Sequence, residues 1–392
     1  MRPGGQLRTL TTLGDNRHRR PHRSTAMHAP FDREHSLRPI VAAIALWIGG
    51  AAAAPVGAGT QAGATDDGFP HRLSETGLFA AGTRVPRPGV LAFSPQYPLW
   101  SDAADKRRWI ALPSGRSIDA SRPDAWAFPR GTRLWKEFAH DGRPVETRLI
   151  ERRTDGRWYF ASYVWRTDGR DADLAPAAGV RALDVAAAPG GRYAVPSRAD
   201  CRTCHDGAPV PVLGFSALQL SGDRDPLAPH ADADAAAVDL RVLASRGLLR
   251  NLPPALLERP PRIAARTPQE RAALGYLHGN CGHCHNDSGD GAPVPLALAQ
   301  RVAADRVDGA HVQRTLLALP RIRWPGSAEV LPIVSPGRAE ASVLALRMAS
   351  RDPRLQMPPL GTRRPDHEAL ALVERWITTT LATTHAPQET QP

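Results

Sequence analysis

The sequence predicts an α+β protein of several domains, in which an antiparallel β domain of sandwich or barrel-like form precedes a mainly α-helical region. Residues 91–195 alternate apolar and polar side chains and carry Asp-Gly pairs at 141–142, 155–156 and 168–169. After residue 196 the apolar side chains recur at helical spacing, and proline pairs at 253–254 and 260–261 separate short elements. The change of period near residue 195 indicates the change from strands to helices.

The three Asp-Gly pairs are 14 and 13 residues apart. Asp-Gly tolerates the positive φ angles of tight hairpin turns, so this spacing predicts an antiparallel meander, with strands at 145–150 and 158–165. His140 lies beside the first turn and is expected to be exposed. Six of the nine tryptophans lie in this region and are expected to form its core, although a stacking platform or an electron path is an alternative. They are Trp100, Trp109, Trp126, Trp135, Trp158 and Trp165.

Three helices are predicted downstream. Residues 239–249 have apolar side chains at helical spacing. The sequence TPQE at 267–270 is a helix start, with threonine as the cap and proline at the first position, and it leads into a helix over 269–277. Residues 366–381 have the apolar stripe of an amphipathic helix.

All four cysteines belong to two CxxCH motifs, CRTCH at 201–205 and CGHCH at 281–285. Such a motif offers two thiols that form thioethers with a haem and a histidine that can bind its iron. The sequence therefore predicts two covalently bound haem c groups. Attachment is assigned to Cys201, Cys204, Cys281 and Cys284, and iron ligation to His205 and His285.

Other interpretations of the cysteines fit less well. Zinc sites built from two cysteine pairs separate them by roughly 12 to 20 residues, whereas 76 residues separate Cys204 from Cys281. A redox CxxC of the thioredoxin type needs no following histidine. Two structural disulfides are the remaining alternative.

The second motif has a recognisable surrounding. A leading helix, CxxCH, long loops, Met357 followed by two prolines, and a closing helix with Trp376 occur in that order. This stretch, residues 261–385, resembles the class I cytochrome c fold. The resemblance implies His285 and Met357, 72 residues apart, as the two axial ligands. Met348 is the alternative thioether.

The first motif has no such partner, because no methionine lies between the two motifs. The second ligand of its iron is therefore a histidine from elsewhere, Met348, a weak ligand, or none. The histidine candidates are His230, His278 and His311.

Four segments carry a wider resemblance: 97–102 (YPLWSD), 134–138 (LWKEF), 146–149 (ETRL) and 275–281 (GYLHGNC). Together with the haem motifs they resemble a bacterial family of exported dihaem c-type cytochromes over about residues 90 to 380. The resemblance implies a periplasmic haem protein whose β domain has no assigned role. It implies no established substrate.

The N-terminal region predicts export. The apolar run 40–54 follows Arg33 and Arg38 and leads into small residues, as in a secretory signal, with Met27 as the expected start. A retained membrane anchor is the alternative. The expected organisation is a leader at 1–64, a linker or loose arm at 65–90, the β domain at 91–195, the first haem-attachment region at 196–260, the second haem domain at 261–385 and a disordered tail at 386–392.

The net charge of +11 does not indicate nucleic-acid binding. Residues 1–64 hold eight arginines against three acidic residues, so +6 remains after the leader, and haem propionates would lower it further.

The expected function is single-electron transfer with a periplasmic redox protein or dehydrogenase. Two alternatives stay open. One is a haem enzyme acting on peroxide or another small molecule at the first haem. The other is a carbohydrate- or partner-binding β module that carries a cytochrome.

Overall fold

The computed structural model of the protein describes residues 68–231, 236–288, 292, 294–303, 306–307, 309–319 and 321–381. The strands are β1 Val90–Ala92, β2 Asp105–Ala111, β3 Ile118–Asp119, β4 Arg133–His140, β5 Arg143–Arg152, β6 Trp158–Trp165, β7 Ala172–Leu174, β8 Val180–Asp184, β9 Arg192–Val195, β10 Leu249–Arg250, β11 Val302–Ala303, β12 Arg306–Val307, β13 Ile322–Arg323 and β14 Val330–Leu331. The α-helices are α1 Arg198–His205, α2 Leu240–Ser245, α3 Ala255–Glu258, α4 Pro268–Asn280, α5 Gly309–Ala318, α6 Val343–Ala349 and α7 His367–Arg375.

The predicted antiparallel meander is confirmed. Six strands form one sheet in the order β1-β2-β4-β5-β6-β7, and every neighbouring pair is antiparallel. Asp141 and Gly142 form the two-residue turn between β4 and β5, with φ angles of 49° and 71°. Both are in the left-handed region that this kind of turn requires.

The sheet differs from the expected sandwich or barrel, because within the described residues the six strands form one open sheet. One face carries Trp109, Trp135 and Tyr163, which pack on the N-terminal segment that includes Leu73 and Leu78. The described part of the expected loose arm is therefore packed against the sheet. A second sheet is not needed on this face because the arm buries it.

The other face of the sheet joins the helical region in one buried cluster. Ile110 and Leu134 from the sheet share that cluster with Leu243 of α2, Leu274 of α4 and Trp376 beyond α7. Side chains from the β region and from both expected haem regions are thus buried together.

The predicted helix starts are confirmed, but the helix expected over 239–249 ends at Ser245, and Leu249 begins β10. Thr267 caps α4, accepting a hydrogen bond from the Glu270 N–H at 3.1 Å, and Pro268 occupies the first turn. Asp239 caps α2 and Asp366 caps α7. After α7 the chain continues in a π-helical turn, Trp376–Leu381.

The aromatic side chains of the β region are core residues, as expected. Trp158 is half-buried and the other five tryptophans are buried. The expectation for His140 is wrong: its side chain is only 7% exposed. The ring packs edge-on against Tyr193 of β9 at 5.8 Å between centroids, so this hairpin end is covered by a later strand.

The expected leader, its Met27 start, residues 65–67 of the expected arm and the 386–392 tail lie outside the described residues. Among the helices that are described, none has the length and apolar character to cross a membrane.

Candidate haem site: one cavity reached by both CxxCH motifs

Both CxxCH motifs reach the same cavity, whose volume is about 1140 Å³. Cys201, Cys204 and His205 of the first motif line it together with His283 and Cys284 of the second. Pockets for drug-sized ligands are usually about 300 to 1,000 Å³. The cavity is therefore large enough for an organic cofactor, and it connects two motifs that are far apart in sequence.

The first motif is part of α1. Ser197 and Asp200 cap this helix reciprocally: the Ser197 hydroxyl accepts from the Asp200 N–H at 3.1 Å, and the Asp200 carboxylate accepts from the Ser197 N–H at 2.9 Å. The helix carries both cysteines and ends at His205.

The His205 ring is oriented for iron binding through Nε2. Its Nδ1 lies 2.6 Å from the carbonyl oxygen of Pro211. A carbonyl can only accept, so Nδ1 donates and Nε2 keeps its lone pair. Burial lowers the pKa of His205 to about 4, with a further lowering by His283. The ring is thus neutral, as a metal ligand must be.

The four cysteines are half-buried and free, so they form no disulfide. Burial is the main cause that raises their thiol pKa values, to about 11 for Cys201 and Cys284 and to about 12 for Cys281. A thioredoxin-type CxxC needs a lowered thiol pKa. In both CxxC pairs the thiol pKa values are raised instead, which argues against a thioredoxin-type redox site.

The second motif forms a turn at the end of α4. The Cys281 N–H donates to the Leu277 carbonyl at 2.9 Å, and the His285 N–H donates to the Cys281 carbonyl at 2.8 Å. The His285 Nδ1 atom is buried without a hydrogen-bond partner among the described residues. Burial and then the charge of Arg347 lower the pKa of His285, so this imidazole is also neutral.

Two of the segments that carry the family resemblance meet at this helix. The Asn280 side chain accepts from the Trp100 N–H at 2.7 Å and donates to the Pro98 carbonyl at 3.2 Å. Tyr97 lies against Gly275 and Gly279, where a Cβ atom would overlap it. The 97–100 segment therefore fixes the end of the helix that delivers Cys281.

One side chain bridges the two motifs. The Asn286 Nδ2 atom lies 2.8 Å from the Gly207 carbonyl oxygen and 3.1 Å from that of His283. Gly207 is two residues after His205. The first motif and the second are therefore neighbours in space.

The predicted ligand Met357 is anchored beside α6. Its N–H donates to the Arg347 carbonyl at 2.9 Å, and Arg347 is the residue whose charge lowers the pKa of His285. The following residues 358–360 line the cavity. Met357, His285 and Cys281 are not among the residues that line it.

The side chains predicted as second ligands for an iron at the first motif are held by other groups. The His230 Nε2 atom pairs with the Asp366 carboxylate at 2.9 Å, and the His311 Nε2 atom lies 3.3 Å from Asp287. The His278 Nδ1 atom accepts from the Gln300 N–H at 3.1 Å, which leaves the proton on Nε2. Met348 is buried in the core on α6.

Sequence reasoning missed His283, the variable residue before the second cysteine of CGHCH. Its side chain lines the cavity and interacts electrostatically with His205. Burial lowers its pKa to about 4. The presence of two histidines in CGHCH could have indicated a second possible ligand. Sequence alone does not show which way the side chain of the first one points.

The residues around the cavity fit a haem attached to the first motif, whose two cysteines and histidine all line it. Phe160 packs against the His205 ring at 5.1 Å between centroids. Gln300 lines the cavity and is only 2% exposed, yet neither of its amide atoms has a partner among the described residues. An unpaired buried amide costs roughly 1–3 kcal/mol, so a bound polar group would stabilise it.

Across the described residues, no three His, Cys, Asp or Glu side chains are grouped to hold a free metal ion. A haem iron takes only one or two side-chain ligands. The donor set here is two thiols and one histidine at the first motif, and two thiols and two histidines at the second.

Comparison with family models, with curated proteins and with solved structures gives no match to this chain.

Proposed function

We propose that the protein is an exported dihaem c-type cytochrome that transfers single electrons to or from a periplasmic redox protein or dehydrogenase. The observation that carries the proposal is the single cavity that both CxxCH motifs reach. Redox groups attached at two motifs that are neighbours in space would be close enough to exchange electrons. Bound haem supplies one-electron redox chemistry.

The chain's own residues have defined tasks in this proposal. Cys201 and Cys204 hold one haem and His205 binds its iron. Cys281 and Cys284 hold the other, and His285 and Met357 bind its iron in a region, 261–385, that we propose is class I cytochrome c-like. The Pro211 carbonyl fixes the His205 tautomer, a hydrogen bond of the kind that orients metal-binding histidines.

The position of His283 supports an electron carrier better than a haem enzyme. Its neutral imidazole lines the cavity, and within the described part of the chain no hydrogen-bond partner contacts its ring nitrogens. It would supply the second ligand of the iron bound by His205. An iron with two protein ligands has no free position for a substrate.

A haem enzyme is the second candidate, because Lys136 and Arg148 also line the cavity and could bind an anionic substrate. The binding-module hypothesis has less support, because five of the six tryptophans that it would use are buried.

The test is to express the full chain with c-type maturation machinery and to record its mass and visible spectra. We expect a mass gain of two haems, two low-spin ferric haems, and no cyanide binding. Met357→Ala should lose the methionine-to-iron charge-transfer band. A mass gain of one haem or none would overturn the proposal, and a high-spin haem that binds cyanide would favour the enzyme.

A further inference from the structure

Three cationic side chains lie side by side in the cavity wall. In the register of the sheet, Arg108 of β2 is opposite Lys136 of β4, and Lys136 is opposite Arg148 of β5. All three line the cavity. They extend the same sheet face that packs against the helical region through Ile110 and Leu134. The same face also buries two polar side chains, Glu146 and Ser162.

The carboxylate nearest to this row is already engaged. Glu146 receives Nε and Nη2 of Arg148, both at 2.9 Å, and the hydroxyl of Tyr193 at 2.7 Å. Its two oxygens therefore compensate Arg148. They leave no free carboxylate for Lys136.

Lys136 has no hydrogen bond or ion pair within the described part of the chain. Its ammonium lies 4.9 Å from the centroid of the Phe138 ring, and the Arg148 guanidinium lies 4.2 Å from the same centroid. Like charges directly opposite each other in a sheet destabilise it. A half-buried lysine between two arginines therefore has no carboxylate paired with it.

The electrostatics agree with this geometry. Burial lowers the pKa of Lys136 well below its usual range, and the charges of Arg108, Lys106 and Arg148 lower it further, while the charge of Glu146 raises it. A bound anion would raise the pKa of Lys136, because an opposite charge within about 4–6 Å favours the charged amine.

The row is close to both haem motifs. The charges of Arg148 and Lys136 act on Cys204, and that of Lys136 also acts on His205 and His283. An anion bound at the row would therefore lie in the cavity next to the redox groups.

We propose that Arg108, Lys136 and Arg148 form an anion-binding site in the cavity wall and that its ligand is a carboxylate. Guanidinium and ammonium groups both donate charge-assisted hydrogen bonds to carboxylates, and Glu146 engages only Nε and Nη2 of Arg148. The carboxylate is either a haem propionate, a source that rests on the proposed function, or a free small carboxylate that enters the cavity.

The test compares wild type with Lys136→Met, which keeps the length of the side chain and removes its charge. Lys106→Met is the matched control, because Lys106 is the other lysine of the chain, lies on the same strand as Arg108 and does not line the cavity. Lys136→Arg restores the charge. If Lys136→Met does not fold, Lys136→Gln replaces it. Mass spectrometry first counts the haems in each protein.

The first arm adds succinate at constant ionic strength and follows thermal unfolding of the full chain. A saturable rise of the midpoint in wild type and Lys106→Met, lost in Lys136→Met and restored in Lys136→Arg, identifies a free carboxylate. This arm does not need haem, so it tests the site even if the protein proves to carry none.

The second arm measures haem reduction potentials from pH 5 to 8. If succinate does not stabilise wild type, the ligand would be a haem propionate. In that case one reduction potential should become pH-dependent in Lys136→Met, and this dependence should be absent from wild type and Lys106→Met. Lys136→Met and Lys106→Met behaving alike in both arms would overturn the proposal.

Discussion

The final histidines of the two motifs, His205 and His285, differ in the hydrogen bonding of the Nδ1 nitrogen. Nδ1 of His205 is hydrogen-bonded to the Pro211 carbonyl, whereas Nδ1 of His285 is buried without a partner among the described residues. A hydrogen bond at Nδ1 raises the basicity of the ligand and fixes its orientation. If both bind iron, the His205 imidazole is the better oriented of the two, so the two haems are not equivalent.

His283→Ala tests whether His283 is the second ligand of the iron that, as proposed, His205 binds. The change keeps both cysteines and the final histidine of CGHCH, so haem attachment should continue. We expect one of the two ferric haems to become high-spin and to bind cyanide, because its iron has lost an imidazole. Visible and electron paramagnetic resonance spectra measure this directly.

The matched control is His278→Ala. His278 also lines the cavity, but its Nδ1 accepts from the Gln300 N–H, so both haems should stay low-spin. An unchanged low-spin spectrum in His283→Ala would show that another residue binds the iron.

At the scale of elements, local chemistry made much of the fold predictable. The Asp-Gly pairs predict turns that the structure contains, and Thr267 and Pro268 predict the start of α4. The segments that pack on each face of the sheet could not be predicted, because this packing depends on contacts between residues distant in sequence. His140 is an example: the turn beside it is local, but Tyr193 buries it from another strand.

The contact between α4 and Tyr97 is the element-level test. Alanine usually stabilises a helix interior relative to glycine by roughly 0.5–1 kcal/mol. At Gly275 the added Cβ would overlap the rigid Tyr97 ring, so we expect Gly275→Ala to lower the free energy of unfolding by about 1–3 kcal/mol. Urea unfolding of the haem-loaded protein measures the change.

Making the same change in a protein that lacks the Tyr97 ring separates the steric overlap from other effects of Gly275→Ala. In Tyr97→Ala the ring is absent, so adding Gly275→Ala should cost less than it does in wild type, which appears as a coupling in a double-mutant cycle. At Gly279 the overlap is with the Tyr97 carbonyl. Because backbone moves less easily than a side chain, Gly279→Ala should be the more disruptive. A Gly275→Ala protein as stable as wild type would contradict this account.

At the scale of the whole molecule, the two CxxCH motifs belong to one packed unit. The cysteine spacing predicts two attachment sites, but it contains no information on their distance in space. That distance follows from the Asn286 bridge to Gly207 and from the core that the sheet shares with α2, α4 and Trp376. Such long-range contacts explain why the sequence suggested separate haem regions and not a common cavity.

Removing one of the two proposed haems should therefore destabilise the entire described unit. We expect Cys201→Ser with Cys204→Ser to reduce the mass by one haem and to lower the midpoint of a single unfolding transition, because a group that fills the native cavity stabilises the folded state. Far-ultraviolet circular dichroism follows the sheet and helices, and the absorbance of the remaining haem follows the second motif. The matched variant, Cys281→Ser with Cys284→Ser, should lower the same transition. If instead the first variant leaves the remaining haem with its wild-type midpoint while the sheet unfolds earlier, the two motifs are thermodynamically independent and the shared cavity does not couple them.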